Sequence, residues 1–458
     1  MMNDRNIDGI SHDQSGGVGN KTAGYEERQI PLALNEPRAL AVELMEQVCE
    51  YQNLNRAYKR VKSNKGAAGI DGMPVEQLRP YWEEHGKAII ESLLTGSYTP
   101  KPVKEIEIPK PGGGIRQLGI PTVIDRLIQQ AILQVLEPLL DPTFSESSYG
   151  FRPGRSAHQA LKRAGEYVAE GKAVVVDIDL EKFFDRINHD ILMSRLARRI
   201  GDRRLLKIVR SYLKAGIMRQ GVCIARHMGS PQGGPLSPLL SNLLLDELDK
   251  ELEKRGHSFC RYADDCNIYV KSQKAGERVM ISIRHFLQTR LKLKLNEDKS
   301  AVDDVSSRKF LGYRIWRDGR LGIAPQSLKR AKDKIRKLTR RNRGKSLDVI
   351  IKELNPFLTG WMNYFGLSTS RRAIEDLDGW IRRKLRCYRL KQRKRSHSIR
   401  AWLVTLGINA NEASKLAGSP KGWWRLSKTP TINIAMSNAW FKEQGLVNLL
   451  QKYMLLNT

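Results

Sequence analysis

The sequence predicts an α+β fold: one antiparallel sheet backed by helices, then a helical and strongly basic region. Three observations predict it. Residues 172–192 open with KAVVV, the apolar run of a buried strand, and pass into acidic residues and a helical stretch. FCRYADDCNIYV, residues 259–270, alternates apolar and polar positions on both sides of two aspartates, as two strands of a hairpin do. Over residues 172–315 the order reads strand, helix, helix, hairpin, helix, strand, an order that gives an antiparallel sheet with helices behind it.

Each element follows in turn. Residues 1–36 are polar and Gly-rich and are expected to be a disordered tail. From Pro37 the spacing of Ala, Leu, Val and Met predicts an amphipathic helix to about Asn64, and GAAGIDGMP (66–74) is a turn before a second helix. From Lys101 to Asp125, VKEIEI is a strand, PKPGGG a turn and IRQLGIP the returning strand. Lys110 and Arg116 lie near that tip; alone they read as surface cations, yet both could reach phosphate oxygens. SYGFRPGRSAHQAL (148–161) is a loop leading into a helix capped by Ser156. Residues 227–256 are a Gly/Pro loop, SPQGG within it, then a helix whose Leu236, Leu239, Leu240, Leu243, Leu248 and Leu252 keep helical spacing and belong to the core. Another helix and a short FLGYRI strand (310–315) complete the sheet.

The chain has 458 residues, 40% of them hydrophobic, and a net charge of +30. Such an excess of cations repels itself unless a polyanion is near, so nucleic acid is the first partner expected and a membrane surface the second. No run of about 18 apolar residues could span a bilayer, and the N-terminus does not read as a signal peptide. Five scattered cysteines form no CxxC pair, which predicts neither a zinc site nor a disulfide framework.

Two acidic clusters then stand on neighbouring strands, Asp177/Asp179 and Asp264/Asp265. Aspartates are common in turns, and the second pair alone reads as one. If the two strands pair, however, the carboxylates converge, and they repel unless a cation sits between them. Mg²⁺ takes one or two carboxylates together with substrate phosphates, and two such ions can clamp an in-line phosphoryl displacement. Lys110 and Arg116 would then hold a nucleoside triphosphate.

YADD at 262–265, with DIDLEKFFDRI upstream and SPQGGPLSPLLSN between, resembles a reverse transcriptase palm. IPKPGGGIRQLGIPTVIDRLIQQAI, SYGFRPGRSAHQAL and FLGYRI extend the likeness in order, and LNPFLTGWMNYFGLSTSRRAIEDLDGWIRRKLRCY (354–388) resembles the maturase domain of group II intron-encoded reverse transcriptases. The resemblance implies a right-hand polymerase: fingers and palm over 37–318, a helical thumb/maturase domain over 319–400, and a small C-terminal region, 401–458, that contacts DNA in some relatives. It implies that Asp179, Asp264 and Asp265 hold two Mg²⁺ ions, with Mn²⁺ tolerated. Asp179 is preferred to Asp177 because the family's aromatic gate falls five positions later, at Phe184. Phe184 would exclude a 2′-hydroxyl, Gln232 would lie beside the incoming nucleotide, the Leu180 carbonyl would add a metal ligand, and Lys299 would stand near the phosphates.

The implied partners are dNTPs, an RNA template–DNA primer duplex, group II intron RNA and a DNA target, with no membrane. A cytoplasmic, nucleoid-associated location in a bacterial-type cell is expected. The basic runs at 329–345 and 382–400 each carry ten Lys/Arg and are expected to form a folded nucleic-acid surface. No HNH endonuclease pattern follows, so the primer is expected to come from elsewhere. Two other functions share these residues: an RNA-binding splicing cofactor without polymerase activity, and a domesticated reverse transcriptase serving repair or defence.

Overall fold

A computed structural model of the chain describes residues 42–109, 113–219 and 222–457. The expected tail, residues 1–36, and Lys110 lie outside the described residues. The body opens with α1 (Leu44–Cys49) and α2 (Tyr51–Ser63), where apolar periodicity predicts one helix. The chain breaks at Glu50, whose ψ of 136° is extended. The Asn53 amide donates to the carbonyls of Val48 and Ala131, both at 3.1 Å, and so binds the break to a neighbouring helix.

After α3 (Leu78–Leu94) come β1 (Val103–Pro109) and β2 (Ile115–Ile120), the expected hairpin, paired from Lys104↔Ile120 to Pro109↔Ile115. Next is α4 (Val123–Leu140), capped by Thr122, whose hydroxyl accepts from the Asp125 amide at 3.1 Å. Then α5 (Ala157–Ala169) begins at Ser156, which forms a complete capping box with Gln159. The chain continues through β3 (Val174–Ile178), α6 (Phe183–Arg186), α7 (His189–Ala197) and α8 (Arg203–Lys214). It then forms β4 (Ile217–Arg219), β5 (Val222–Ile224) and α9 (Ser237–Lys254), whose leucine stripe is buried as expected. Next are β6 (Ser258–Tyr262), β7 (Asp265–Val270), α10 (Gln273–Phe286) and β8 (Ala301–Asp304).

The β4–β5 pair was not legible in the sequence. It joins β1 in parallel through Val103↔Ile217, giving the sheet order β2-β1-β4-β5. A second sheet runs β6-β7-β3-β8. The expectation that FLGYRI supplies its last strand is corrected: AVDD, residues 301–304, does so, paired antiparallel with β3. Val302 packs so closely on α10 that a Cβ on Gly276 would lie 2.4 Å from its Cγ1. FLGYRI instead forms β9 (Lys309–Phe310) and β10 (Tyr313–Ile315) of a third sheet with β11 (Leu321–Ile323).

The strand period of two divides the core. Val176 and Ile178 of β3, with Cys266 and Ile268 of β7, face the core built on α4 and α9. Val175 and Tyr269 face a second core that takes in α5, the third sheet and the C-terminal helices. Asp177 shares this second face by parity.

The C-terminal part is helical. It comprises α11 (Pro325–Leu338), α12 (Leu347–Phe365), α13 (Arg371–Arg393), α14 (Ser396–Thr405), α15 (Ala410–Ala417), α16 (Trp423–Leu426), α17 (Pro430–Ala435), α18 (Asn438–Glu443) and α19 (Leu449–Leu456). The expected boundary at 318/319 lies in the turn between β10 and β11, and that at 400/401 lies within α14. Trp361, Phe365, Tyr388 and Trp402 are core, whereas Trp424 is exposed beneath Arg383, whose guanidinium carbon lies 3.9 Å from the ring centroid. Arg386 of the basic run is buried and donates twice to the Met436 carbonyl, at 3.0 and 2.8 Å. No helix among the described residues is long and apolar enough to cross a membrane.

Candidate active site

Tyr262↔Asp265 is the last pair of the β6–β7 hairpin, so Ala263 and Asp264 form a two-residue turn and Asp265 opens β7. Ala263 sits at φ 59°, in the left-handed region. Arg261, fully buried, holds this geometry from beneath. Its guanidinium donates to the Ala263 carbonyl (2.9 Å), Ser148 Oγ (2.7 Å) and Asn242 Oδ1 (3.0 Å), and to both carboxylate oxygens of the equally buried Asp249 (2.7 and 2.5 Å). The segment 147–149 lies along β6, with Arg261 N donating to Ser147 O (2.9 Å) and Tyr149 N to Arg261 O (2.8 Å).

The strands pair as the convergence of carboxylates requires. Asp177↔Asn267 and Ile178↔Cys266 are partners across β3 and β7, and one step further along this register Asp179 comes level with Asp265. Three bonds fix the Asp179 backbone: its N–H donates to Ser300 Oγ (3.0 Å), and its carbonyl accepts from Asn296 N (2.8 Å) and Ser300 Oγ (3.2 Å). Its carboxylate receives Lys299 Nζ at 3.3 Å. Asp177 is engaged elsewhere, accepting from Arg308 Nη2 at 2.7 Å and Nε at 3.0 Å.

Burial, followed by repulsion from Asp264, Asp177 and Asp179, pushes the Asp265 carboxyl up to about 7. Burial and Asp179 likewise raise Asp264, against the pull of Arg116 and Lys299. Crowded acids whose ionisation is opposed in this way suit a multivalent cation, and Lys299 already brings a positive charge to the cluster. Among the described residues no group of three or more His, Cys, Asp or Glu side chains is arranged to hold a metal ion by itself.

Two cavities share Asp179, Asp298 and Lys299. One, of about 840 Å³, is lined by Asp179, Leu180, Phe184, Asp264 and Lys299 together with Arg116 of β2 and Gln232 of the SPQGG loop. The structure thus brings together every expected site residue within the described chain except Asp265, which opens onto the second cavity. That cavity, of about 830 Å³, is lined by Asp177, Asp179, Asp265, Arg308, Lys309, Leu311, Gly312 and Tyr364. Leu180 bridges to Leu295 through bonds made by its neighbours Asp179 and Glu181, so its own carbonyl is not used by the bridge. Phe184 is half-buried and meets Phe183 edge-on at 5.2 Å. The Gln232 carbonyl accepts from Gly119 N at 2.8 Å, which pins its loop to β2.

Sequence reading missed Arg308 and Arg261. Nothing marks Arg308 in SSRKF. Arg261 did carry a signal: a cation at an inward strand position, with Asp249 on the leucine-striped face of the preceding helix.

Residues 108–315 match the family described as reverse transcriptase (RNA-dependent DNA polymerase), and residues 328–405 match the group II intron maturase-specific domain. The chain is 33% identical over 333 residues to Protein YkfC of Escherichia coli (strain K12), covering 62% of this chain and 86% of YkfC. It is 31% identical over 331 residues to the group II intron-encoded protein LtrA of Lactococcus lactis subsp. cremoris, covering 57% of this chain and 55% of LtrA, about half its length. A chain of the structure titled "Partial Cas6-RT-Cas1--Cas2 complex" aligns at 27% identity with a TM-score of 0.36, over 54% of this chain and 42% of that one. The fold and its domain are those of an RNA-directed DNA polymerase, a nucleotidyltransferase class whose members use divalent metal ions and bind nucleic acids. The chain belongs to the group II intron-encoded reverse transcriptase and maturase family.

Proposed function

We propose that this chain copies RNA into DNA for a group II intron, and that it assists the folding, splicing and retrohoming of the intron RNA. The observation that carries the reading is the β3–β7 register, which sets Asp179 level with Asp265 while Asp264 occupies the turn. Asp179, Asp264 and Asp265 would hold two Mg²⁺ ions, with the Leu180 carbonyl as a further donor. Bound there, the ions would lower the pKa of the primer 3′-hydroxyl and neutralise the departing pyrophosphate.

The chain's own groups do the rest. Arg116 and Lys299, with Lys110, position the triphosphate and offset its charge. Phe184 lies where the sugar would rest and excludes a 2′-hydroxyl, and Gln232 orients the nucleotide from the opposite wall. Arg308 neutralises Asp177, whereas Asp179 is paired only with the largely exposed Lys299. The primer–template duplex occupies the second cavity, among Arg308, Lys309, Arg314 and Arg330. The helices from α11 onward grip template and intron RNA, residues 401–458 meet the DNA target, and the protein works at the bacterial-type nucleoid.

Primer extension on a defined RNA template with Mg²⁺ and dNTPs, run beside Asp264→Asn, tests this. Extension by the wild type alone, with equal RNA affinity in both, supports it. Tight RNA binding with extension by neither would make the chain a splicing cofactor that does not polymerise.

A further inference from the structure

Phe151 is a bulky apolar residue in the least comfortable place on this surface. Its φ is 56°, in the left-handed region that a β-carbon disfavours, and 54% of its surface is exposed. Both neighbours are pinned. Gly150 lies against the carboxylate turn, its carbonyl accepting from Asn242 Nδ2 at 2.8 Å. Arg152 is buried, donating to Asp141 Oδ1 (2.7 Å) and to the carbonyls of Asp141 (2.9 Å), Ser145 (2.5 Å) and Ser148 (2.9 Å). With its flanks fixed, residue 151 can only turn outward.

It emerges beside Tyr262, the residue before the turn, at a ring separation of 6.4 Å. Tyr262, Leu311 and Tyr364 are half-buried against one core, and Leu311, at φ 49°, is left-handed as well. Tyr364 and Leu311 also wall the cavity next to Asp265, whose rim carries Arg308, Lys309, Arg314 and Arg330. Strain held in place by its surroundings gathers at functional sites, and here it falls at Phe151, beside Tyr262, and at Leu311, in the cavity that Asp265 lines. A core role would bury Phe151, and a plain turn would use Gly or Asn.

We propose that Phe151 is a contact residue for the primer–template duplex, its ring lying against the sugar edge of the base pairs just behind the extending end. The contact is apolar and independent of sequence, as suits a surface every base pair must cross. This rests on the polymerase reading above, which wild-type extension tests separately.

The test compares wild type, Phe151→Gly and Phe151→Tyr for binding to a labelled RNA–DNA primer–template and to single-stranded RNA of equal length, with melting temperatures alongside. Glycine accepts φ 56° freely, so its variant loses the ring without straining the backbone. The expected result is duplex affinity about tenfold weaker in Phe151→Gly, single-strand affinity unchanged, a melting temperature no lower, and Phe151→Tyr close to wild type. Unchanged duplex affinity in Phe151→Gly, an equal loss on single strands, or a loss accompanied by a lower melting temperature would overturn the proposal. A wild type that fails to extend primers while the duplex-specific loss persists would count against polymerisation and leave the contact standing.

Discussion

Gly150→Ala adds one methyl group at the most constrained point of the active-site hairpin. A Cβ there would lie 2.2 Å from Ala263 N, 2.8 Å from the Tyr262 carbonyl carbon and 3.1 Å from Ala263 Cα. All three atoms are backbone, so no side chain can rotate away. Restoring a contact of about 3.5 Å requires a displacement of roughly 1 Å. The 148–150 segment is held by Asn242 and by its bonds to β6, while the turn it presses on carries Asp264. Part of the displacement must therefore fall on the carboxylate. Misplacing a reacting group by about 1 Å costs around 10²-fold in rate, and overpacking costs about 1–3 kcal/mol of stability. Single-turnover primer extension at saturating dNTP should thus fall about 100-fold. RNA affinity should hold within about twofold, because the basic helices from α11 onward are untouched. Thermal melting of the same preparations separates misplacement from unfolding. Extension at the wild-type rate by folded Gly150→Ala would refute the claim that this close approach positions Asp264.

Arg261→Met should destabilise the chain by about 3–5 kcal/mol, because Asp249 is left buried without its partner; a loss under about 1 kcal/mol in urea denaturation would mean the pair contributes little. Phe184→Ala should raise ribonucleotide use, read as the ratio of kcat/KM for rNTP and dNTP, and an unchanged ratio would reduce Phe184 to packing. Replacing exposed Lys394 and Arg395 together by Ala should lower the salt slope of RNA binding by about one to two, whereas an unchanged slope would place no phosphate there. Arg386→Ala should instead lower the melting temperature, since that cation is buried against the Met436 carbonyl; a weakened RNA affinity at unchanged melting temperature would contradict it.

The parts of this molecule that could be read from its sequence are those governed by local pattern. The alternation in β6 and β7, the apolar run of β3, the Ser156 cap and the leucine stripe of α9 all follow from a period of two or 3.6 and from capping chemistry. What escaped was decided at a distance. The β4–β5 pair has three residues a side, and its parallel match to β1 joins positions 103 and 217. β8 contains Asp303 and Asp304, poor strand formers that are tolerated on an edge because Val302 anchors it to α10. The α1–α2 break keeps its apolar phase, and only the Asn53 side chain reveals that the carbonyl of Val48 has left the helix. The basic run at 382–400 looks uniform in sequence, yet packing against α17 and α18 draws Arg386 inward.

Asp177 and Asp179, at the end of β3, show how the same physics separates look-alike residues. Asp177 lies in β3 and Asp179 one residue past its end, two apart along the same extended stretch, so by parity they share a face. Desolvation raises Asp177, and Arg308 offsets it with a two-point bond that fully occupies one of its carboxylate oxygens. Asp179 lies just beyond the strand's last paired residue, with a single ammonium 3.3 Å away on a largely exposed lysine stem. A guanidinium donating twice to one half-buried carboxylate oxygen is costlier to displace than a lone exposed ion pair, which is worth at most about 1 kcal/mol and yields to a stronger cation. Asp179 lines both cavities, as does Asp298, whereas Asp177 lines only the second. A carboxylate serving an incoming nucleotide on one side and the growing end on the other, as proposed above, would have to stand at that junction, where Asp179 stands and Asp177 does not.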